Sequence, residues 1–115
     1  MRTSVTRTFS FEAAHQLPWH EGKCRRLHGH TYRLEVTVEG PVGDHGIVVD
    51  FADLKEVVER EVVHRYDHQF LNDFLDNPTA ELLAVEIWKA VEAAELGVSR
   101  IRLWETPDSF VELAR

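Results

Sequence analysis

Four residues among the first thirty could do chemistry together: three of the four histidines found there and the only cysteine of the chain. They are His15, Cys24, His28 and His30, and the last three belong to the run Cys-Arg-Arg-Leu-His-Gly-His. A lone cysteine cannot form an internal disulfide, so its thiol is a free group among imidazoles. Imidazole is a common zinc ligand, although other divalent ions also bind it. This cluster indicates metal and thiol chemistry.

Strand spacing would bring the three imidazoles together. Side chains two residues apart in a strand project to the same face about 6.6–7 Å apart, so His28 and His30 can converge on one ion. His15 falls on the same face as the apolar residues of a preceding strand and can supply a third nitrogen. Three nitrogen ligands leave one zinc position open, as in catalytic sites. The alternative is that these are ordinary core or surface histidines, and their shared phase favours ligation.

Cys24 is flanked by basic residues, with Lys23 before it and Arg25 and Arg26 after it. Neighbouring positive charges favour the thiolate, so we interpret Cys24 as reactive, the alternative being a small buried hydrophobe. The same basic residues are the best candidates to bind an anionic substrate in a chain with a formal net charge of -7. That net charge argues against nucleic-acid binding.

Downstream carboxylates carry two further signals. The dipeptide Asp67-His68 is typical of an acid–base pair. Glu105 continues the inward phase of Ile101 and Leu103, and a buried carboxylate needs a partner. That partner is either a structural one such as an arginine or a ligand with two adjacent N–H donors. The other histidines are interpreted as surface residues: His20, His45 and His64.

Hydrophobic periodicity predicts the elements that hold these residues. Apolar and polar side chains alternate over residues 3–13 and 28–39, which predicts two half-buried strands. Asp50 and Thr79 are expected N-caps of two helices, the first ending near Tyr66. The inward stripe of the first helix is predicted at four residues: Leu54, Val57, Val58 and Val62.

The remaining segments complete a β-β-α-α-β-β order. Residues 47–49 are predicted to form a short strand or an extended entry into the first helix. Residues 67–77 are predicted to form an irregular connection. Gly97 is expected to stop the second helix, and two strands follow, the last over residues 110–114. Short turns favour antiparallel pairing, so we expect an α+β fold in a single domain over residues 1–115.

Length and hydropathy suggest where such a chain works. No segment reaches the roughly 18 apolar residues of a membrane span, and the N-terminus lacks a signal peptide's apolar core. We therefore expect a cytoplasmic protein, which a free cysteine fits. A chain of 115 residues is small for an enzyme, so a homo-oligomer whose neighbouring subunit completes the active site is expected.

Taken together, these residues resemble the 6-pyruvoyltetrahydropterin synthase family, which includes the bacterial 6-carboxytetrahydropterin synthases. The resemblance covers nearly the whole chain and implies the tunnelling fold, in which subunits join their sheets into a barrel with active sites between them, as a tetramer or hexamer. Six segments carry it, in the family's order: residues 11–15, 24–30, 49–51, 66–72, 78–81 and 104–106.

The resemblance also implies roles for the chemical residues. Cys24 is implied to be the proton-abstracting base, and Asp67 with His68 the second acid–base element. The implied zinc ligands are the three clustered histidines: His15, His28 and His30.

The implied substrate is 7,8-dihydroneopterin triphosphate. Glu105 would anchor the amino and ring N–H groups of the pterin, and Thr79 and Thr106 could add hydrogen bonds. Arg25 and Arg26 are candidates to bind the triphosphate, a hypothesis that rests on their charge and not on the family.

The compact cysteine motif favours the bacterial branch. That branch forms 6-carboxy-5,6,7,8-tetrahydropterin, releases acetaldehyde and feeds 7-deazapurine synthesis of the queuosine type. A cysteine at position 24, where some variants have a glutamate, argues against the variants that act as dihydroneopterin aldolases. Two alternatives stay open: a 6-pyruvoyltetrahydropterin synthase with the same substrate, and a non-catalytic pterin- or zinc-binding module.

Overall fold

Two long strands form the centre of the sheet in the computed structural model, which describes residues 1–115. Strand β1 spans Thr3–His15 and strand β2 spans His28–Gly40. They pair antiparallel along their whole length, from Thr3 opposite Gly40 to His15 opposite His28. Both strands were predicted from the alternation of apolar and polar residues, and each extends slightly beyond its predicted end.

Three further strands complete a five-stranded sheet in the order β3-β1-β2-β4-β5. Strand β4 (Val98–Thr106) pairs antiparallel with β2, and β5 (Ser109–Ala114) pairs antiparallel with β4. Strand β3 (Gln69–Phe70) pairs parallel with the end of β1. The predicted α+β fold is confirmed, but β3 lies in a segment predicted to be irregular. Two residues are too few to show an alternating pattern.

The first helical segment contains a widened turn. Helix α1 (Phe51–Val58) continues through a π-helical turn (Glu59–Val63) into α2 (His64–Tyr66). Its buried side chains recur every four residues: Leu54, Val58, Val62 and Tyr66. Four residues of a regular α-helix turn through about 400°, which is more than one full turn. Side chains repeated every four residues would therefore drift around the helix and away from the core. The wider π turn reduces that drift. Val57, predicted in the stripe, is only half-buried.

Helix α3 (Ala80–Glu92) packs on the same face of the sheet as the first helical segment. Thr79 caps it as predicted, because its hydroxyl oxygen accepts a hydrogen bond from the Leu82 N–H at 3.2 Å. Gly97, the predicted stop, lies beyond the helix end, with φ of +86°. A Cβ at Gly97 would lie 2.9 Å from the Glu39 carbonyl oxygen.

The connection before α1 is not a strand. Val48 and Val49 form a bend and are half-buried against the core. Asp50 then caps α1 by accepting from the Ala52 N–H at 2.8 Å. A strand there would need a free sheet edge beside it, and no pairing forms. None of the helices combines the length and apolar character that crossing a membrane requires.

Candidate metal centre and adjoining cavity

The three histidines meet at one end of the sheet, where β1 ends and β2 begins. His15 is paired directly opposite His28, and His30 follows on the same face of β2. One ring nitrogen from each residue lies within 4.8 Å of the others, and the Nε2 atoms of His15 and His28 are 3.0 Å apart. Strand phase therefore assembles a group that could hold a metal ion.

Hydrogen bonds to the backbone fix which nitrogen of two rings faces this group. The Nδ1 atom of His15 lies 2.8 Å from the Pro78 carbonyl oxygen, and that of His28 lies 2.7 Å from the Arg26 carbonyl oxygen. A carbonyl oxygen only accepts, so each Nδ1 carries a proton and each ring turns its Nε2 towards the group. A metal ion between them would take both Nε2 atoms as ligands.

The third ring has one nitrogen without a hydrogen-bond partner. His30 Nε2 is buried without one, and its nearest charged neighbour is Glu105 Oε1 at 3.7 Å. Burial lowers the pKa of His30. The Glu105 carboxylate acts in the opposite direction, whereas the neighbouring His15 and His28 lower the pKa further. The neutral ring that results is the form that binds metals.

The spacing of the nitrogens suits zinc. Zinc–nitrogen bonds of 2.0–2.1 Å at a tetrahedral angle place two ligand nitrogens about 3.3 Å apart, close to the 3.0 Å between His15 and His28. Three imidazoles without a fourth protein ligand leave a position for a substrate oxygen or water. The residues present therefore fit a metal ion with an open ligand position, zinc among the candidates.

A buried tyrosine forms the floor beneath the histidines. Tyr32 follows His30 on the inward face of β2, is fully buried, and stacks on Phe11 with ring centroids 5.2 Å apart. Its ring also meets the edge of His30, with centroids 5.6 Å apart. Burial raises the pKa of Tyr32, and the negative charge of Glu105 raises it further. The ring therefore remains a neutral, rigid support for the group.

Cys24 opens onto a cavity beside the histidines. It is half-buried in the 3₁₀ turn Lys23–Arg25, within the connection between β1 and β2. It lines a cavity of about 330 Å³ together with Thr79, at the start of α3, and Glu105, near the end of β4. The fold thus brings into one cavity three predicted site residues from distant parts of the chain. The apolar lining comes largely from Leu17, Trp19, Leu103, Phe110 and Val111.

One histidine interpreted as a surface residue also belongs to this cavity. His20 is half-buried and lines it beside Trp19. Its Nδ1 accepts a hydrogen bond from the Gly22 N–H at 2.8 Å, which tightens the turn before Cys24. The surface assignment of His20 is therefore wrong, whereas His45 and His64 are exposed as predicted.

The basic residues around Cys24 keep their charges unpaired. Lys23, Arg25 and Arg26 are exposed and make no ion pair within the chain. Most other arginines of the protein pair with a glutamate, as Arg102 does with Glu112 at 2.7 Å. Three unpaired positive charges beside the cavity are suited to attract an anion.

Glu105 lies in the predicted inward phase of β4, after the buried Ile101 and Leu103. Its side chain is 28% exposed, and its one ion-pair partner is His30, not an arginine. The carboxylate therefore remains able to accept from a ligand. Thr106 lies next to it in a second cavity, of about 470 Å³, and its hydroxyl donates to Asp108 at 2.9 Å.

Asp67 and His68 do contact each other. His68 Nδ1 lies 2.9 Å from one Asp67 oxygen, and the other oxygen accepts from the Glu12 N–H at 2.9 Å. Both contacts lower the pKa of Asp67, and the hydrogen bond from the Glu12 backbone has the larger effect. His68 has a left-handed φ of 59° and a side chain that is 78% exposed. The pair is a carboxylate-bound imidazole directed to solvent.

His68 and Cys24 do not share a cavity within one chain. His68 lines a space of about 490 Å³ on the β3 side of the sheet, together with Glu12 and His30, whereas the Cys24 cavity lies on the β5 side. His30 lines the first of these spaces, and Glu105, 3.7 Å from it, lines the second. The two chemical groups thus flank the three histidines from opposite sides.

Two residues that support the site were missed by residue-by-residue reasoning. Pro78 supplies the carbonyl that orients His15, and Asn72 binds the backbone of Gln16 at 2.9 and 3.0 Å. Both lie within the segments that carry the family resemblance. Their place in those motifs was the only available signal, because neither residue type has an obvious chemical role.

The fold and this site define the class of protein. The sequence pattern described as 6-pyruvoyl tetrahydropterin synthase matches residues 4–115. The chain therefore belongs to the 6-pyruvoyl tetrahydropterin synthase family. This membership, with the synthase names of its relatives, confirms the prediction that the chain is an enzyme of this family.

Individual relatives make the resemblance more specific. The chain is 43% identical to the 6-carboxy-5,6,7,8-tetrahydropterin synthase of Synechocystis sp., over 89% of this chain and 85% of that protein. It is 40% identical to the dihydroneopterin monophosphate aldolase of Pyrococcus furiosus, over 98% of each chain. The solved 6-pyruvoyl tetrahydropterin synthase of Caenorhabditis elegans matches with a TM-score of 0.90 and 25% identity, over 100% of this chain and 96% of that one.

Proposed function

We propose that this protein is a zinc-dependent 6-carboxy-5,6,7,8-tetrahydropterin synthase. It converts 7,8-dihydroneopterin triphosphate and one water into 6-carboxy-5,6,7,8-tetrahydropterin, acetaldehyde and triphosphate. The observation that carries the proposal is the cavity shared by Cys24, Thr79 and Glu105, beside a three-histidine group suited to zinc. The names of relatives such as that from Synechocystis support this choice of product.

Glu105 is proposed to hold the pterin. An ionised carboxylate accepts two parallel N–H bonds from one planar ligand, and a pterin offers an amino group beside a ring N–H. The absence of an arginine partner and the partial exposure of Glu105 support this role. Thr79 and Thr106 are proposed to add hydrogen bonds from either side of it.

Cys24 is proposed to remove a proton from a carbon of the substrate side chain. Its half-buried setting in the shared cavity gives the sulfur access to a bound pterin. A bound zinc ion would acidify the C–H and O–H groups of a side chain coordinated to it.

His68 is proposed to transfer protons elsewhere on the pterin, with Asp67 orienting its ring through their contact of 2.9 Å. Because His68 and Cys24 line different cavities of one chain, we propose that neighbouring subunits join the two in a homo-oligomeric barrel. The location of β3 and β5 at opposite edges of the sheet supports such closure. A neighbour's edge strand could satisfy the unpaired backbone groups there.

Arg25 and Arg26 are proposed to bind the triphosphate before it leaves. Phosphate oxygens and guanidinium groups match in geometry and charge, and these side chains are unpaired and exposed beside the cavity. We further propose that the protein acts in the cytoplasm and that its product enters 7-deazapurine synthesis of the queuosine type.

A single product analysis tests the proposed reaction. Purified protein with added zinc and 7,8-dihydroneopterin triphosphate should give 6-carboxy-5,6,7,8-tetrahydropterin by mass spectrometry, together with one equivalent of acetaldehyde. 6-Pyruvoyltetrahydropterin without acetaldehyde would instead identify the first alternative, which consumes no water. No turnover at all would exclude both.

A second candidate function follows from the relative in Pyrococcus furiosus, which carries the name of an aldolase at 40% identity over 98% of each chain. Aldol cleavage of a dihydroneopterin phosphate would leave 6-hydroxymethyl-7,8-dihydropterin and a phosphorylated two-carbon aldehyde. The same mass analysis, run with the monophosphate and with the triphosphate as substrates, distinguishes this product from the carboxylated one. The cysteine at position 24 favours the synthase.

A further inference from the structure

The end of β1 is bordered by a segment that contains very little regular strand. Ala13 and Ala14 pair with β3, which ends at Phe70. Before that ladder, Asp67 accepts from the Glu12 N–H at 2.9 Å. After it, the backbone of Gln16 has no strand residue opposite it, although it directly follows the histidine proposed to bind zinc.

The side chain of Asn72 occupies the place of the missing strand. Its Nδ2 donates to the Gln16 carbonyl oxygen at 2.9 Å, and its Oδ1 accepts from the Gln16 N–H at 3.0 Å. A primary amide offers both a donor and an acceptor, as a peptide unit does, so one side chain satisfies both backbone groups. Asn72 belongs to the 3₁₀ turn Leu71–Asp73, which fixes its distance from β3.

We infer that Asn72 is a positioning residue for the metal group, an inference that rests on the proposed zinc function. The paired bonds hold the backbone immediately after His15, and Pro78, six residues beyond Asn72, holds the His15 ring through its carbonyl oxygen at 2.8 Å. The His15 ligand is thereby fixed at its main chain and at its side chain by one segment. Metal–ligand distances tolerate only about 0.2 Å, so loosening either attachment weakens binding.

The same attachment extends to the cysteine. Leu17, which follows Gln16, donates its N–H to the Cys24 carbonyl oxygen at 2.8 Å. The main chain from Gln16 to Leu17 thus connects the Asn72 amide with the 3₁₀ turn that carries Cys24. Asn72 therefore positions His15 directly and supports the Cys24 turn through two consecutive backbone residues.

The test compares the zinc affinities of three proteins: Asn72→Ala, Asn72→Asp and the unchanged protein. Zinc Kd is measured by competition with a chromogenic chelator at pH 7.5, and the geometry of the site by the visible spectrum after cobalt substitution. Outer-shell partners of metal ligands typically contribute 10–100-fold to affinity. We expect Asn72→Ala to raise the zinc Kd about 10-fold and to alter the cobalt spectrum.

Asn72→Asp retains the acceptor for the Gln16 N–H but sets a carboxylate oxygen against the Gln16 carbonyl oxygen, so its zinc Kd should also rise. This variant replaces Asn72→Ala if the alanine protein does not fold. Thr6→Ala is the matched control, because it removes a side-chain bond of 2.7 Å to Thr37 at the far end of the same strand. It should lower the thermal midpoint without changing the zinc Kd.

The outcomes separate this inference from the proposed function. If the unchanged protein takes up no zinc, the metal site itself is refuted and the inference with it. If the unchanged protein binds zinc and the folded Asn72 variants keep its Kd and its cobalt spectrum, Asn72 is only structural and the inference alone is wrong. A fall in thermal midpoint in every variant, with equal zinc Kd, would have the same meaning.

Discussion

The Nε2 atoms of His15 and His28 lie 3.0 Å apart while the Nδ1 atom of each ring is bound to a backbone carbonyl oxygen. Both rings are therefore oriented before any cation arrives. Such preorganisation lowers the ordering cost of binding. Because the group is assembled only in the folded chain, metal binding and folding stability should be coupled.

Loss of one histidine ligand should nearly abolish zinc binding. His28→Ala leaves two imidazoles, so its zinc Kd should rise by more than the roughly 10–100-fold typical of outer-shell changes. Zinc content after gel filtration, measured by mass spectrometry of the metal, is the readout. His45→Ala is the control, because His45 is exposed in a turn outside the group. Full zinc occupancy of His28→Ala would contradict the assignment.

Removal of the metal should destabilise the fold. A ligand present at 100 times its Kd contributes about 2.7 kcal/mol of stability, so chelation should lower the thermal midpoint by several degrees, and added zinc should restore it. The unfolding of His28→Ala should respond much less to either treatment. An equal thermal midpoint for the zinc-loaded and chelated forms of the unchanged protein would show that the group is not a metal site.

Cys24→Ala should abolish turnover but retain binding. A positioned general base contributes about 10²–10⁴-fold to rate, so the loss should appear in kcat, while zinc content and pterin Kd stay close to normal. Cys24→Ser keeps the size of the side chain and should be similarly inactive, because a hydroxyl is a much weaker base. Normal turnover in either variant would refute the proposed role.

Glu105→Gln should weaken pterin binding. The amide replaces one acceptor with a donor, so one of the two N–H bonds of the pterin is lost and the other loses its charge. Hydrogen bonds to charged groups contribute about 1.5–3 kcal/mol, which corresponds to a Kd about 10–100-fold higher. Fluorescence titration with a dihydropterin measures this. Glu112→Gln, on β5 and outside the cavity, should leave that Kd unchanged.

Asp67 should give the fold a dependence on acid pH. Its pKa lies below the ordinary value of 3.8 in the folded protein, so the ionised carboxylate stabilises the fold above that value, and this contribution is lost as the pH falls through the folded pKa. Asp67→Asn should therefore be less stable than the unchanged protein at pH 6, with a difference that shrinks below pH about 3.8. Urea unfolding of the metal-free proteins at several pH values measures it.

Asp73→Asn provides the comparison for that experiment. Asp73 is exposed in the same segment and forms no ion pair. Its replacement should change stability equally little across the acid range. If Asp67→Asn and Asp73→Asn followed the same pH dependence, the hydrogen bonds of Asp67 would not be stabilising the fold.

Local patterns were sufficient to predict the strands that hold the histidines. The period of two in β1 and β2 depends only on neighbouring residues, so the inward phase of His15, His28 and His30 followed directly. The caps at Asp50 and Thr79 and the inward Glu105 were predictable for the same reason. Strand β3 and the π-helical turn were not, because a two-residue pairing and a widened turn depend on the packing partner and not on a repeating local pattern.

The sequence by itself determined the types of chemistry, the phase of the zinc-ligand candidates and the family resemblance. Only the tertiary structure decided which groups meet. Cys24, Thr79 and Glu105 are separated by more than twenty residues each, and the order of β2, β4 and α3 around the core places them in one cavity. It also placed His68 on the other side of the histidines. Residue spacing sets local direction, whereas long-range contact depends on how whole elements bury their apolar faces together.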